Sequence, residues 1–263
     1  MRSSERGPDR RPLLLLPPSK AKAEGGDGPA YRETIDPGHP LAEARAQVLE
    51  SVTQAVPPLE DRVVQRITGV PSSQVEDARE RCARLGGLPT LPAHRRYTGV
   101  VHRNAALAEV TPSELTVEVL LVSGLLGLVG LDEAVPAYRL EFAATVPGPK
   151  SLATFWREAA GPHLAAQAHD RVVWDLLPGE HERIWPDGTR ARLDHRPVTF
   201  RRPDGGAANA ARTKVAKGRL VAWLLANPSA ARQTGTVAEH AQLGPGWTLS
   251  PDGPGLRAVY AED

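Results

Sequence analysis

The chain has 263 residues, of which 41% are hydrophobic and 24% are charged. A chain of this length and apolar content can bury a core as one large domain or two small ones. Its formal net charge of +1 excludes a partner selected by overall charge, so any site for nucleic acid or phosphate has to be local. The 24 glycines and 25 prolines predict long ordered loops around the core.

Cysteine content and hydropathy favour a cytoplasmic protein. The only cysteine, Cys82, cannot form an internal disulfide, which is typical of a reducing compartment. The apolar run 13–16 is shorter than the roughly 7 to 15 residues of a secretory signal, and the apolar window 119–131 is shorter than the roughly 20 residues of a membrane helix. No membrane contact is therefore expected. Residues 1–11 are charged and rich in turn formers, and we expect them to form a disordered leader.

Short apolar runs alternate along the chain with stretches of helical periodicity. Continuous apolar runs predict strands buried on both faces, and an apolar stripe every three to four residues predicts a helix. In chain order the predicted elements are a strand over 13–16, a helix over 41–56, a helix from the capping-box spacing at 73–76 to Gly86-Gly87, a helix over 151–168 broken at Gly161-Pro162, a strand over 172–177, a helix over 214–226 and strands over 247–249 and 256–260. Cys82 lies on the apolar stripe of the second helix and is expected in the core.

The window 119–131 fits two structures. It is either a buried strand that turns at Ser123-Gly124 or a helix interrupted by glycines, and periodicity alone does not separate them. No internal repeat and no linker divides the chain. We therefore predict a single α+β domain over residues 12–263.

Several standard chemistries lack their motifs in this chain. No phosphate-binding loop ending in Gly-Lys-Ser/Thr occurs, and the glycines of 25–28 lack the dinucleotide spacing. The eight histidines are dispersed, so no metal and no cofactor is predicted, and Glu180-His181-Glu182 is interpreted as a solvated loop. Ser123 lacks the glycine that precedes the nucleophile of a hydrolase elbow.

Positive charge is concentrated in two segments. Residues 62–103 carry eight arginines against three acidic residues, a net of +5, and residues 192–219 carry eight basic residues against two acidic ones, a net of +6. If both segments share a face, they form a footprint for phosphates, with an affinity that falls steeply with salt. The alternative is a solvated charged surface without a ligand.

Lysine is rare in this chain and is unevenly placed. Five of the 32 basic residues are lysines, and four of them form the pairs Lys20/Lys22 and Lys214/Lys217. An amine offers a compact charge and, unlike a guanidinium, can lose its proton. The first pair follows a predicted buried strand, and the second pair, with Arg219, lies in the first turns of a predicted helix. We expect the four lysines to meet in one cleft.

Six short motifs occur in a fixed order along the chain. They are Leu13 to Ser19 followed by Lys22, Tyr97-Thr98-Gly99, Ser123 to Gly127, Pro136 to Leu140, Lys214 to Arg219 and, between the last two, Phe155-Trp156 with the 172–177 strand. In this order they resemble the YaaA family of peroxide stress proteins, over about residues 12–260.

The resemblance implies a cytosolic protein with the mixed α/β "cantaloupe" fold and a positively charged cleft. It also implies binding of duplex or branched DNA through that cleft, and a role in limiting oxidative damage when peroxide releases iron. The residues assigned to DNA or anion binding, from the resemblance and from the lysine pairs, are Ser19, Lys20, Lys22, Tyr97, Ser123, Tyr138, Arg139, Lys214, Lys217 and Arg219.

Two other interpretations stay open. The same lysines suit an enzyme of specialised metabolism that acts on a small anionic metabolite, with Tyr138, Ser123 or a neutral lysine transferring a proton. The chain also fits a scaffold protein whose basic segments only keep it in solution. The sequence assigns no catalytic residue and no oligomeric state.

Overall fold

A largely parallel sheet forms the centre of the structure. The computed structural model describes residues 11–148 and 150–261. The strands among these residues are β1 Leu13–Leu16, β2 Thr90–Pro92, β3 Glu118–Ser123, β4 Gly127–Gly130, β5 Ala134–Pro136, β6 Thr145–Val146, β7 Lys150–Ser151, β8 Val172–Asp175, β9 Asp194–Arg201, β10 Trp247–Asp252 and β11 Gly255–Tyr260. The main sheet has the strand order β10-β11-β9-β8-β1-β3-β4.

Helices connect the strands of this sheet. In the described part of the chain they are α1 Ala42–Ala55, α2 Asp61–Thr68, α3 Val75–Ala83, α4 Ala93–Arg96, α5 Val100–Asn104, α6 Leu152–Ala159, α7 Gly161–Ala168, α8 Ala210–Ala226 and α9 Thr234–His240. The five strands from β11 to β3 run parallel, and β10 and β4 are antiparallel edge strands. The chain therefore forms a single mixed α/β domain, as the sequence predicts.

Strand β1 lies at the centre of the core. It pairs in parallel with β3 on one side and with β8 on the other. Its four leucines, Leu13 to Leu16, have no exposed surface. A strand between two parallel neighbours is covered on both faces, which is why a continuous apolar run rather than an alternating one forms it.

Arg171 holds the amino-terminal edge of the sheet together. Its guanidinium lies 2.8 Å from the Glu118 carboxylate at the start of β3. Its Nε donates to the carbonyl of Arg11, 2.7 Å away, just before β1. The charged groups at this edge therefore serve to hold the ends of β1 and β3 in place.

Most of the predicted elements are confirmed. The strands predicted at 13–16, 172–177 and near the carboxyl end of the chain are β1, β8, β10 and β11, and the helix predicted at 151–168 is broken between α6 and α7. Cys82 is buried, and burial raises the pKa of its thiol to about 11. The leader predicted at 1–11 lies outside the described residues except for Arg11, which donates to the carbonyl of Leu115. None of the helices in the described residues is long and apolar enough to cross a membrane.

Two predicted helix starts are wrong. Helix α8 begins at Ala210, four residues before Lys214, because the Asn209 side chain accepts hydrogen bonds from two backbone amides of its first turn. Helix α3 begins at Val75, without a side-chain cap, so the capping box predicted at 73–76 does not form. A short 3-10 turn over Ser72–Gln74 precedes α3 instead.

The window 119–131 is a β-hairpin rather than a helix. Strands β3 and β4 pair antiparallel, with Ser123 opposite Gly127. Trp156 fixes the loop between them, since its Nε1 donates to the Gly124 carbonyl over 2.8 Å. Gly127 has a φ of +72°, and a Cβ there would lie 2.6 Å from the Trp156 ring. The loop therefore needs glycine at position 127 for both backbone conformation and space.

We predict that Gly127→Ala destabilises the protein more than Gly188→Ala. Gly188 has nearly the same φ, +71°, but its Cβ would meet no atom within 4 Å. The left-handed conformation costs about 1 kcal/mol in both variants, and the clash with Trp156 adds roughly 1 to 3 kcal/mol only at position 127. Urea denaturation of the two variants measures the difference. Equal free energies of unfolding would contradict the proposed packing of the loop on Trp156.

Candidate functional site

The strands that follow β1 in the chain lie on both sides of it in the sheet, and this change of side places a crevice at the carboxyl edge of the sheet. After β1 the chain crosses to β3 on one side, and it later returns to β8 on the other. In open α/β sheets ligands bind outside the carboxyl ends of strands at such a switch point. The groups that reach this edge are the loop after Leu16, Ser123 at the end of β3 and Asp175 at the end of β8.

The loop after β1 turns Lys22 back over the end of the sheet. Lys22 forms an isolated β-bridge with Tyr97, and its Nζ donates to the Ser19 carbonyl over 2.8 Å. The Ser19 hydroxyl donates to the carbonyl of Ala21, which closes the loop. The Lys22 ammonium lies 4.0 Å from the ring centroid of Tyr138 and 5.3 Å from that of Tyr97. Two aromatic faces therefore replace part of its hydration.

Three buried hydroxyls form a chain beside Lys22. Ser123 Oγ lies 2.8 Å from Tyr138 Oη, which lies 3.0 Å from Tyr97 Oη. Ser123 Oγ also accepts from the backbone amides of Leu125 and Leu126, both at 3.1 Å. These two amides occupy both lone pairs of the serine, so its proton points to Tyr138. The bond between Tyr138 and Tyr97 can run in either direction, since each phenol both donates and accepts.

The amine of Lys22 is set for proton exchange near neutral pH. The pKa of Lys22 is lowered from 10.5 to about 7, first by burial and then by the positive charges of Arg139 and Arg96. The carboxylate of Glu141 acts in the opposite direction. The Lys22 amine therefore loses its proton far more readily than an exposed lysine amine does. An anion beside Nζ would favour the charged form and raise this pKa.

Lys20 and Arg139 lie at the mouth of the same site. Arg139 donates through Nη1 to the carbonyl of Lys20 over 2.7 Å. The Lys20 ammonium lies 2.5 Å from the Glu141 carboxylate, and the Lys20 side chain is 70% exposed. The Glu141 side chain is only 24% exposed, so Lys20 is the member of this ion pair that solvent reaches.

A second lysine lies at the end of the neighbouring strand β8. Lys217 Nζ donates to the Leu176 carbonyl over 2.6 Å. Burial lowers the pKa of Lys217 to about 8, against the opposite effect of the Asp175 carboxylate. Asp175 itself is buried, pairs with His195 at 2.8 Å and accepts from Trp185 Nε1 at 2.9 Å. Lys22 and Lys217 therefore belong to two clusters, at the ends of adjacent strands.

Two buried histidines border these clusters, and the sequence assigns neither of them to the site. His102 packs on the Tyr97 ring, and its pKa is lowered to about 3 by burial and by Lys22. His181 stacks on Phe142 at 4.7 Å, and its pKa is lowered to about 4 by burial and by Lys217. Both rings are neutral at pH 7. The predicted solvated loop at 180–182 is therefore wrong for His181, which packs inside.

Lys214 and Arg219 lie apart from the two clusters. Because α8 begins at Ala210 and not at Lys214 as predicted, Lys214 is in its second turn and Arg219 in its third. Both side chains are exposed. Arg219 donates weakly to the Leu243 carbonyl at 3.4 Å, and the side chain of Lys214 has no hydrogen bond or ion pair within residues 11–148 and 150–261. The structure thus brings together seven of the ten predicted site residues: Ser19, Lys20, Lys22, Tyr97, Ser123, Tyr138 and Arg139.

Both basic segments divide their charge between structural contacts and solvent. In 62–103, four arginines form ion pairs and Arg96 is buried against four backbone carbonyls. The other three arginines of this segment are exposed and have no acidic partner in the described part of the chain; they are Arg62, Arg66 and Arg103. In 192–219, Arg196 and Arg202 pair with aspartates, whereas Arg201 and Lys214 are exposed and have no acidic partner among the described residues. Both segments therefore leave positive charge facing solvent.

The Lys22 cluster suits binding of an oxyanion and transfer of a proton. Lys22 and Arg139 supply positive charge, and the hydroxyl chain supplies an ordered donor path. Within the residues that the structure describes, no group of three or more His, Cys, Asp or Glu side chains could hold a metal ion.

A family model described as "Peroxide stress protein YaaA" matches residues 13–236. This chain belongs to the YaaA family. A UPF0246 protein of Streptomyces coelicolor is 30% identical over 227 residues, which cover 83% of this chain and 84% of that protein. A UPF0246 protein of Corynebacterium efficiens is 26% identical over 253 residues, 90% of this chain and 94% of the relative. All ten predicted site residues of the YaaA-family chain fall inside the region that the family model matches.

We predict that the Lys22 amine titrates with a midpoint near pH 7. Reductive methylation with ¹³C-formaldehyde gives each lysine an NMR signal, and Lys22→Arg identifies the signal of Lys22. Arg139→Met removes a repulsive charge, so the midpoint should rise in this variant. Arg257→Met, which removes an exposed arginine paired with Asp252, should leave it unchanged. A wild-type midpoint near 10.5 would contradict the environment described for Lys22.

Proposed function

We propose that this YaaA-family chain acts in the cytoplasmic response to peroxide by binding DNA at the carboxyl edge of its sheet, where it limits iron-dependent oxidative damage. The family supports the role in peroxide stress. The observation that carries DNA binding is the charge imbalance around Lys22. Three arginines, Arg139, Arg96 and Arg81, lower the pKa of Lys22, and one carboxylate raises it. A site with surplus positive charge is stabilised when an anion enters it.

The exposed cations extend this surplus along the edge. Lys20 and Arg139 lie at the mouth of the Lys22 site. Arg201, at the carboxyl end of β9, and Lys214 and Arg219 on α8 are exposed. We propose that these groups line the positively charged cleft. A duplex contacts proteins mainly through successive phosphates, so several separated cations suit it better than one deep pocket.

We predict salt-dependent binding of a short duplex and of a four-way junction, measured by fluorescence anisotropy at several salt concentrations. Each lost phosphate contact should reduce the slope of log K against log salt by about 0.9. Lys214→Met and Arg139→Met should each show this loss. Arg84→Met is the matched control, because Arg84 is exposed but paired with Glu80 on α3. Absence of binding at low salt, or a slope of zero, would contradict the proposal.

A second candidate function is catalysis on a small anionic metabolite. The observation that favours it is the partly neutral amine of Lys22 beside an ordered hydroxyl chain. A neutral amine weakens a phosphate contact but is what a general base needs. In this function Lys22 accepts a proton from the substrate, and Tyr138 holds the substrate in place.

The two candidates predict different responses of the Lys22 titration. A small-anion site predicts that inorganic phosphate raises the midpoint of Lys22 in the wild type and not in Arg139→Met. It also predicts that phosphate affinity falls as pH increases through about 7, because Lys22 loses its charge. If duplex DNA raises the midpoint and free phosphate does not, the enzyme candidate is wrong.

A further inference from the structure

A carboxylate shares the site with the cations at the carboxyl edge of the sheet. Oε1 of Glu141 lies 2.5 Å from the ammonium of Lys20. The charge of Glu141 also reaches Lys22, whose pKa it raises, and Tyr138. Glu141 is not among the ten predicted site residues. The structure therefore adds an acidic group to a site that the sequence describes as basic.

The fold holds the Glu141 carboxylate in this position. Glu141 donates its backbone amide to the Ile67 carbonyl over 2.8 Å, which ties it to the last turn of α2. Its side chain then crosses Gly69, the residue that follows α2. A Cβ at Gly69 would overlap Glu141 Oε1 and would lie 2.7 Å from Glu141 Cδ. The bare glycine thus leaves the space that the carboxylate occupies beside the cations.

The other contacts of the cations are neutral. Lys22 donates to the Ser19 carbonyl and Arg139 donates to the Lys20 carbonyl. Neither Lys22 nor Arg139 forms an ion pair with another described residue. Attraction between opposite charges is several times stronger at a partly buried position than in bulk water. Glu141 therefore supplies part of the negative charge that an anionic ligand would bring to this site.

We propose that Glu141 is an internal competitor of the ligand: its carboxylate occupies the place of an anionic group, and an oxyanion binds Lys20, Lys22 and Arg139 in exchange for it. This inference rests on the proposed function, anion binding at the Lys22 site, and adds the residue that limits the affinity. The oxyanion can be a phosphate of DNA or a free phosphate, because both share this chemistry.

Two variants test the competition by different means. Glu141→Gln removes the charge and keeps the shape of the side chain. Gly69→Ala keeps the charge and pushes the carboxylate aside with one methyl group. Inorganic phosphate, followed by isothermal titration, should bind to each variant roughly 3- to 10-fold more tightly than to the wild type. Binding of a short duplex, followed by fluorescence anisotropy, should change in the same direction.

Each variant has a matched control. Asp252→Asn also removes one carboxylate from an ion pair, that with Arg257, far from the Lys22 site. Gly188→Ala adds a methyl group at nearly the same φ, +71° against +68° at Gly69, but into open space. Both controls should bind phosphate and duplex like the wild type. A gain as large in the controls as in Glu141→Gln and Gly69→Ala would contradict the proposal.

The titration of Lys22 measures the influence of Glu141 without any ligand. In Glu141→Gln the midpoint should fall, because the carboxylate that favours the charged amine is gone. An unchanged midpoint would mean that the carboxylate does not act at the Lys22 amine, and the proposal would then be wrong.

The outcomes distinguish this inference from the proposed function. If the wild type binds either probe and Glu141→Gln binds it equally or more weakly, the competition is refuted and anion binding remains supported. If neither probe binds to the wild type or to either variant, both are wrong. Binding by the variants alone supports the competition. A gain for the duplex only assigns the oxyanion to DNA, and a gain for phosphate only assigns it to a small molecule. If melting temperatures show that Gly69→Ala does not fold, Glu141→Gln alone decides.

Discussion

The burial of β1 between two parallel neighbours determines where this chain can place polar groups. Four leucines without exposed surface leave no room for a functional side chain until the strand ends at Leu16. The loop that follows must turn at the carboxyl edge, and the bridge between Lys22 and Tyr97 joins it to the segment between α4 and α5. Because β3 and β8 flank β1, Ser123 and Asp175 reach the same edge. The two lysine clusters are consequences of this arrangement.

An amine in this position is stable because several weak contacts replace water. The ammonium of Lys22 has one carbonyl partner and two aromatic faces, and nearby arginines oppose its charge. Burial and the arginines lower the pKa of Lys22, the Glu141 carboxylate raises it, and the result is a pKa of about 7. The hydroxyl chain depends on the β3–β4 hairpin, since the amides of Leu125 and Leu126 orient Ser123. The hairpin loop that orients Ser123 therefore also positions the hydroxyls that lie beside the Lys22 amine.

The sequence predicts helices and strands whose hydropathy pattern is local. It does not predict structure that depends on contacts between residues far apart in the chain. The buried run 13–16 and the break at Gly161-Pro162 carry their own signal. The 119–131 window is ambiguous from the sequence because Trp156, far along the chain, fixes its loop. The contact of Ser123 with Tyr138 follows no periodicity, and only ordered family motifs bring these residues into consideration together.

The burial of Cys82 has a chemical consequence for a protein of the peroxide response. Peroxide oxidises the thiolate, and a thiol with a pKa of about 11 stays protonated at cellular pH. The helix α3 also keeps this sulfur away from solvent. The chain has one cysteine, and its only methionine is Met1. Hydrogen peroxide therefore meets Cys82 as a buried thiol and not as a thiolate, and this slows oxidation of its sulfur.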